Sequence, residues 1–335
     1  MIDSKEEKML SFYTSKKILL TGFTGYIGSN LLNKLSGINC EIICLTRKAN
    51  YEPRLKSLLD SKAKISINSG SYVERSFWED NLDGVDVIFH LASQTSFYEA
   101  ESDPTEDYLS NVLPLQILLD VASKNDKKPF ISFAGTSTQC GLKENLPVDE
   151  TELDNPSTIY DLHKLIAENY LKYYIEKDQV NGCCLRLSNV YGPGPRSSKD
   201  DRGILNLMIK KALNQENLTI FGSGEYLRDY IFIDDVVRAF LACPGKASKT
   251  NGKHFILGSG RGFTVKEAIS KVAKVVQEIT NIRVNIVNIK SPNGLMEIEF
   301  RNFVANNSRL ALATGWSPTI DLEEGIRLTV ESLKN

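Results

Sequence analysis

Short apolar runs alternate with longer amphipathic stretches along the first two-thirds of the chain, the pattern of βαβ units that build a parallel sheet covered by helices on both faces. The apolar runs predict strands over Lys17–Thr21, Glu41–Leu45, Lys64–Asn68, Val85–Leu91, Pro129–Phe133 and Gly182–Leu187. Helical periodicity predicts helices over Ile27–Leu35, Leu109–Ser123 and Ile159–Glu176, the last announced by the start signals of Asn155-Pro156-Ser157-Thr158. The fold class that follows is α/β, a doubly wound parallel sheet of the Rossmann kind with a smaller C-terminal lobe. After Leu187 the rhythm loosens into Tyr191-Gly192-Pro193-Gly194-Pro195 and Gly222-Ser223-Gly224, which places the start of that lobe near residue 190. The expected division is 14–190 for the first domain with 229–262 returning to it, and 191–228 with 263–330 for the second lobe.

Composition changes this picture little but excludes a good deal. With 41% hydrophobic and 24% charged residues, 22 Gly and 11 Pro, the chain is neither fibrous nor disordered nor a disulfide scaffold. Forty Lys and Arg against 42 Asp and Glu leave a net charge of −2, so no bulk field attracts nucleic acid or an anionic membrane, and an anionic ligand must be held locally. The polar stretch Met1 to Lys17 has no apolar core, and no run approaches the length of a bilayer span; the expected address is cytoplasmic. The six cysteines, Cys40, Cys44, Cys140, Cys183, Cys184 and Cys243, form no CxxC pair and read as free thiols in apolar strands, with no metal site.

Directly after the first predicted strand comes Thr21-Gly22-Phe23-Thr24-Gly25-Tyr26-Ile27-Gly28, with a helical pattern following at once. Strand, glycine turn and helix is the arrangement that aims backbone N–H groups and a helix N-terminus at a pyrophosphate, with glycine wherever a Cβ would block close approach. The second strand ends in Thr46-Arg47-Lys48. A carboxylate that would take the adenosine ribose hydroxyls is missing there, and two cations stand where a 2′-phosphate could use them, so NADP is expected over NAD.

Tyr160 and Lys164 are spaced i, i+4 on a predicted helix and share one face. A free tyrosine, with a pKa of about 10, is a poor base at neutral pH. A neighbouring ammonium favours the phenolate, so the pair can move a proton to or from a sugar hydroxyl or ketone while hydride moves to or from a nicotinamide. The fifth predicted strand delivers Gly135-Thr136-Ser137-Thr138 to the same sheet edge, supplying hydroxyls for the reacting oxygen.

On these motifs the chain resembles the extended short-chain dehydrogenase/reductase family, the group of nucleotide-sugar epimerases, dehydratases and reductases, from roughly Lys16 to Val330. The glycine turn matches Gly22, Gly25 and Gly28; the segment after the fourth strand matches His90-Leu91-Ala92-Ser93; the helix asparagine matches Asn111. The resemblance implies a catalytic set of Thr136, which lies five residues before Gly141, with Tyr160 and Lys164. It implies cofactor contacts from Gly22, Thr24, Gly25, Tyr26, Ile27, Gly28, Thr46, Arg47, Lys48, Leu91, Ala92, Ser93 and Asn111, together with Tyr160 and Lys164. For a nucleoside-diphosphate sugar it implies Gln94, Thr136 and Ser137, then Asn189 in Ser188-Asn189-Val190-Tyr191-Gly192-Pro193, Arg228 in the stretch 222–235, and Arg301. A homodimer through the Leu109–Ser123 and Ile159–Glu176 helices is the matching expectation.

Departures from the family pattern narrow the reaction. Ser137 and Thr138 follow Thr136 where related dehydratases carry Asp-Glu, which argues against 4,6-dehydration. Gln139-Cys140-Gly141 replaces the frequent Val-Tyr-Gly, and Ser71 stands where an Asp often meets the adenine. The leading expectation is reduction of a nucleoside-diphosphate 4-keto-6-deoxyhexose with NADPH. Tyr160 would donate the proton, Thr136 would hydrogen-bond the oxygen, and Lys164 would hold the nicotinamide ribose. The alternative is a 4-epimerase working through a transient 4-keto sugar. A non-catalytic NADP(H)-binding sensor is disfavoured because Thr136, Tyr160 and Lys164 are all intact.

Overall fold

The computed structural model describes residues 4–47, 61–195, 203–291 and 294–334. After a short helix α1 (Ser4–Ser11), the chain runs through β1 (Lys17–Thr21), α2 (Tyr26–Ser36), β2 (Glu41–Thr46), β3 (Lys64–Ser69), α3 (Arg75–Leu82) and β4 (Val87–His90). Next come α4 (Phe97–Ser102), α5 (Pro104–Asn111), α6 (Leu113–Ala122), β5 (Phe130–Thr136), α7 (Ile159–Glu176), β6 (Asn181–Leu187) and β7 (Asn189–Tyr191). The remainder carries α8 (Ile204–Leu213), β8 (Leu218–Phe221), β9 (Leu227–Phe232), α9 (Ile233–Ala242), α10 (Ala247–Thr250), β10 (His254–Leu257) and β11 (Gly262–Thr264). It closes with α11 (Val265–Thr280), β12 (Ile286–Ile289), α12 (Ser308–Thr314) and α13 (Leu322–Lys334).

Seven strands form one sheet in the order β10-β6-β5-β4-β1-β2-β3, parallel throughout. A sheet covered on both faces needs strands apolar on both faces, and β4 (VIFH) is buried at every residue while β2 (EIICLT) is buried at all but its first. Alternate residues serve opposite layers. Ile18 and Leu20 of β1 join Leu31 and Leu35 of α2 and Val236 and Phe240 of α9, whereas Leu19 joins Trp78 of α3, Leu118 of α6 and Leu171 of α7. β3, with Lys64, Ser66, Asn68 and Ser69, is the half-exposed edge. This is the doubly wound α/β architecture that the hydrophobic pattern predicts.

The predicted helix Leu109–Ser123 is in fact two. α5 starts earlier, at Pro104 behind an Asp103 cap whose carboxylate accepts from the Glu106 N–H at 3.0 Å, and ends at Asn111. α6 restarts after Val112 with Pro114 in its first turn. Proline lacks the N–H that a continuous helix would use there but is well suited to a first turn, so it divides the segment.

Beyond the main sheet, β7 and β9 pair in parallel with β11 antiparallel on β9, and β8 pairs with β12. β10 returns to the main sheet beside β6. All six cysteines are buried and free. Among the described residues no helix is long and apolar enough to cross a membrane.

Candidate active site

The strand order reverses between β4 and β1, and in an open parallel sheet ligands bind at the carboxyl ends on either side of such a point. Thr21, the last residue of β1, joins the two strand ends. Its Oγ1 accepts from the Leu91 and Ala92 N–H groups, both at 3.1 Å, and lies 3.2 Å from Nδ1 of His90. With two donors already arriving, the hydroxyl proton is left to donate to that imidazole nitrogen. Burial, reinforced by the Lys164 charge, pushes the His90 pKa down to about 3, so the ring stays neutral and acts as a brace. Thr21 matters here although the sequence reading used it only as the start of a motif.

The glycine turn fits the gap that Thr21 sets. Gly22 has φ +71°, and a Cβ on it would lie 2.7 Å from Ala92 N. A Cβ on Gly28 would lie 2.2 Å from the Gly22 carbonyl oxygen, so the first turn of α2 can press against the loop only without a side chain. Gly25 caps α2 and offers no side-chain acceptor to the first-turn N–H groups. Those donors and the positive end of the helix suit a diphosphate. Thr24 and Ile27 lie in the same turn, and the Tyr26 hydroxyl donates to the Gly192 carbonyl at 2.7 Å, tying the cradle to the loop after β7.

Thr46 is buried at the end of β2, and Arg47 is exposed, its guanidinium 3.5 Å from the Ser110 hydroxyl. Lys48 lies outside the described residues. Across the switch point, the Ser93 hydroxyl donates to Asn111 Oδ1 at 2.6 Å, and Asn111 Nδ2 donates to Asp107 at 2.9 Å. The same buried carboxylate accepts from Gln94 Nε2 at 2.9 Å and lies 2.7 Å from His163 Nδ1. Asp107 and His163 were missed from sequence, because a carboxylate on one helix and an imidazole on another show no spacing that links them.

β5 ends on Thr136, paired in register with Leu187 of β6. Ser137, Thr138, Gln139 and Cys140 then make one tight turn and are all buried. The Thr136 N–H donates to Gln139 Oε1 at 2.8 Å, and Gln139 Nε2 donates to Glu168 Oε2 at 2.8 Å. Glu168 is gripped by Arg186, whose Nε and second guanidinium nitrogen each donate at 2.8 Å, while Asp154 takes the other side of that guanidinium. Burial opposes the charge on Glu168, but Arg186 more than offsets it and holds the carboxyl well below the usual carboxylate range. Gln139, the departure noted in the sequence, is thus the link between Thr136 and a buried ion pair.

α7 starts behind Thr158, whose hydroxyl accepts from the Asp161 N–H at 3.2 Å. Tyr160 is half-buried in the first turn. One turn on, Lys164 is buried with its Nζ 4.2 Å from the centre of the Phe133 ring on β5. Burial pushes its pKa down to about 8, against the pull of Cys184, Asp107 and Glu168. The ammonium therefore persists through neutral pH. Lys164 thus stands over the middle of β5, the strand that ends on Thr136, with Tyr160 one turn earlier on the same helix.

On the far side, Arg228 of β9 is buried, donating to the Leu227 carbonyl at 3.0 Å and to the carbonyls of Arg301 and Glu299. Asp229 does not pair with it; that carboxylate accepts from Ser259, Gly260 and Ala305 instead. Arg301 donates to the Ile298 carbonyl at 2.9 Å, and its Nε is buried with no partner among the described residues, as is the Tyr230 hydroxyl. Burial, with the Arg228 charge beside it, pushes the Arg301 pKa down to about 10. Neither guanidinium is paired with a carboxylate among the described residues, so this corner can accept an anion. Asn189, half-buried, opens β7 opposite Tyr230.

The family model described as NAD dependent epimerase/dehydratase family matches residues 18–258. A UDP-glucose 4-epimerase of Mycolicibacterium smegmatis is 26% identical over 325 residues, which is 95% of this chain and 99% of that protein. A dTDP-4-dehydro-6-deoxyglucose reductase of Escherichia coli is 24% identical over 319 residues, 95% of this chain and 97% of that one. A crystal structure of UDP-glucose 4-epimerase from Thermotoga maritima with UDP-glucose superposes with a TM-score of 0.82 at 29% identity, covering 95% of this chain and 98% of the other.

Proposed function

The chain belongs to the NAD-dependent epimerase/dehydratase family, and on that premise we propose that it is a nucleotide-sugar 4-epimerase that oxidises the sugar C4 hydroxyl and reduces the resulting ketone on its other face. The observation that carries this is the packing of the start of α7 on the end of β5, where Thr138, 2.7 Å from Thr136, is hydrogen-bonded to Asp161 beside Tyr160, with Lys164 one turn on buried over Phe133 of the same strand. Tyr160 takes the proton from the C4 hydroxyl and returns it. Lys164 keeps the phenolate accessible near neutral pH and faces the nicotinamide ribose. Thr136 hydrogen-bonds the reacting oxygen. NAD(P) would lie in the glycine cradle of Gly22, Gly25 and Gly28, with Leu91, Ala92, Ser93 and Asn111 along its path, and supplies hydride exchange when bound. Arg228 and Arg301, with Asn189 and Tyr230 beside them, face the diphosphate and nucleoside of the substrate, while Gln94 and Ser137 complete the sugar side. The 29% identical structure with UDP-glucose supports a UDP-linked hexose.

The test is conversion of UDP-galactose to UDP-glucose by the purified protein, with and without added NAD or NADP. Conversion without added cofactor, with near-stoichiometric cofactor released on denaturation, is the expected result. The second reading, a net NADPH-dependent reductase of a 4-keto-6-deoxyhexose nucleotide, is favoured by Arg47 at the end of β2 and by the reductase relative. NADPH consumption with such a ketone, and none of the isomerisation, would select it. The exposed Leu109 and Tyr173, with Leu162, suit a homodimer through α5, α6 and α7.

A further inference from the structure

A second buried carboxyl group is linked to Thr136, this one through hydroxyls alone. Thr136 Oγ1 lies 2.7 Å from Thr138 Oγ1, and Thr138 Oγ1 is hydrogen-bonded to Asp161 Oδ1. The other carboxyl oxygen accepts from the Thr158 hydroxyl at 2.8 Å. Thr138 and Asp161 are both buried, so bulk water does not compete for these bonds. Each threonine has one proton. If Asp161 is ionised, Thr138 must donate to it and Thr136 must donate to Thr138, which leaves Thr136 able only to accept from a ligand. If Asp161 is protonated, it can donate to Thr138, Thr138 to Thr136, and Thr136 to the ligand.

We infer that Asp161 is a positioning residue whose protonation state sets the direction of this relay, and so decides whether Thr136 donates to the reacting C4 oxygen or competes with Tyr160 for its proton. The inference rests on the proposed C4 chemistry for its consequence, though not for its geometry. The neutral acid is the productive form, because only then does Thr136 add a second donor beside Tyr160 as negative charge develops on the oxygen. The charged groups facing Asp161 divide: Arg301 favours ionisation and Glu101 of α4 opposes it. Burial outweighs the Thr138 and Thr158 hydrogen bonds and raises its pKa above the ordinary carboxylate value.

Asp161→Asn places an amide that donates to Thr138 at every pH, and Thr138→Val cuts the relay while leaving the carboxyl in place. With UDP-galactose as probe, the ratio of variant to wild-type kcat/KM should rise by about tenfold between pH 5 and 8 for Asp161→Asn, the effect of one hydrogen bond to a developing charge. Thr138→Val should also show a rising ratio. A ratio flat with pH in either variant overturns the inference, and the second variant decides it should the first not fold. The infrared band of the protonated carboxyl, measured without substrate and assigned by its loss in Asp161→Asn, reads the same titration independently. A band titrating above the ordinary range and displaced in Thr138→Val supports the relay, and a carboxyl ionised across the whole range overturns it. Wild-type protein inactive on every nucleotide sugar would overturn the proposed function, while the infrared titration would still decide the relay.

Discussion

The glycine cradle of the sheet and the arginine corner beyond it would, under the proposed function, solve one problem, holding phosphate, by opposite means. At the cradle the chain removes side chains: Gly22 and Gly28 leave backbone where a Cβ would stand 2.7 Å from Ala92 N or 2.2 Å from the Gly22 oxygen. At the corner it concentrates them, with Arg228 and Arg301 anchored on backbone carbonyls and the Tyr230 hydroxyl left without a partner among the described residues. The first has its glycines written in eight consecutive residues, and tertiary pairing adds only the neighbouring strand end at Leu91 and Ala92. The second needs β9 and the segment around Arg301 to be brought together. Backbone donors suit the invariant part of a ligand, whereas long cationic side chains can be re-aimed, so cofactor class should be robust to substitution outside the glycines and substrate preference should not.

The largest effect expected lies between the two regions. Tyr160→Phe removes one hydroxyl from a half-buried ring, and turnover should fall by about 10²- to 10⁴-fold with the melting temperature little changed; turnover at the wild-type rate would remove the proposed mechanism. Glu168→Gln should cost about 3–5 kcal/mol of unfolding free energy, since Arg186 would be left buried with half its partners, and denaturant unfolding reads this directly. Its pH dependence has a definite sign. The Glu168 pKa is depressed by folding, so its contribution is fully present at neutral pH and is lost as pH falls below the ordinary carboxylate value. The variant should therefore unfold with less acid sensitivity than the wild type.

Smaller effects sharpen the contrast itself. Gly28→Ala forces a methyl group against backbone and should destabilise the fold by about 1–3 kcal/mol, with loss of cofactor binding measured by fluorescence titration. Arg228→Lys replaces a planar fork, whose two terminal nitrogens reach three carbonyls, with donors on a single nitrogen, and should raise KM for a nucleotide sugar by about tenfold with kcat changed less. If Gly28→Ala alters substrate KM and leaves cofactor affinity intact, the two regions do not divide the ligand in this way. The smallest change is at Arg47, which is exposed: Arg47→Ala should lower the NADP-to-NAD affinity ratio by only about two- to fivefold, as for a solvent-screened ion pair.

Much of this was legible before any coordinates. Strand positions followed from apolar runs, because a strand buried on both faces has few polar positions, and the glycine turn followed from the strand before it and the helix after it. Tyr160 and Lys164 were legible because four residues is one helical turn. The division of Leu109–Ser123 was marked by Pro114, whose preference for a first turn outweighed the apolar periodicity. Other features left no such mark. Thr21 looks like the end of an ordinary strand, and Gln139 looks like a substitution in a motif. Only pairing β1 beside β4 gives Thr21 its two amide donors, and only packing α7 on β5 puts Gln139 against Glu168 and Thr138 against Asp161. The sequence by itself determined six of the strand positions, the glycine turn and the one-turn spacing of Tyr160 and Lys164, since each depends on periodicity or spacing within one or two adjoining elements. The tertiary structure alone decided which buried charges and hydroxyls support them, because partners such as Arg186 with Glu168, Thr138 with Asp161 and Arg228 with Arg301 lie 18, 23 and 73 residues apart and a hydrogen bond is specified by proximity in space, which sequence separation does not encode.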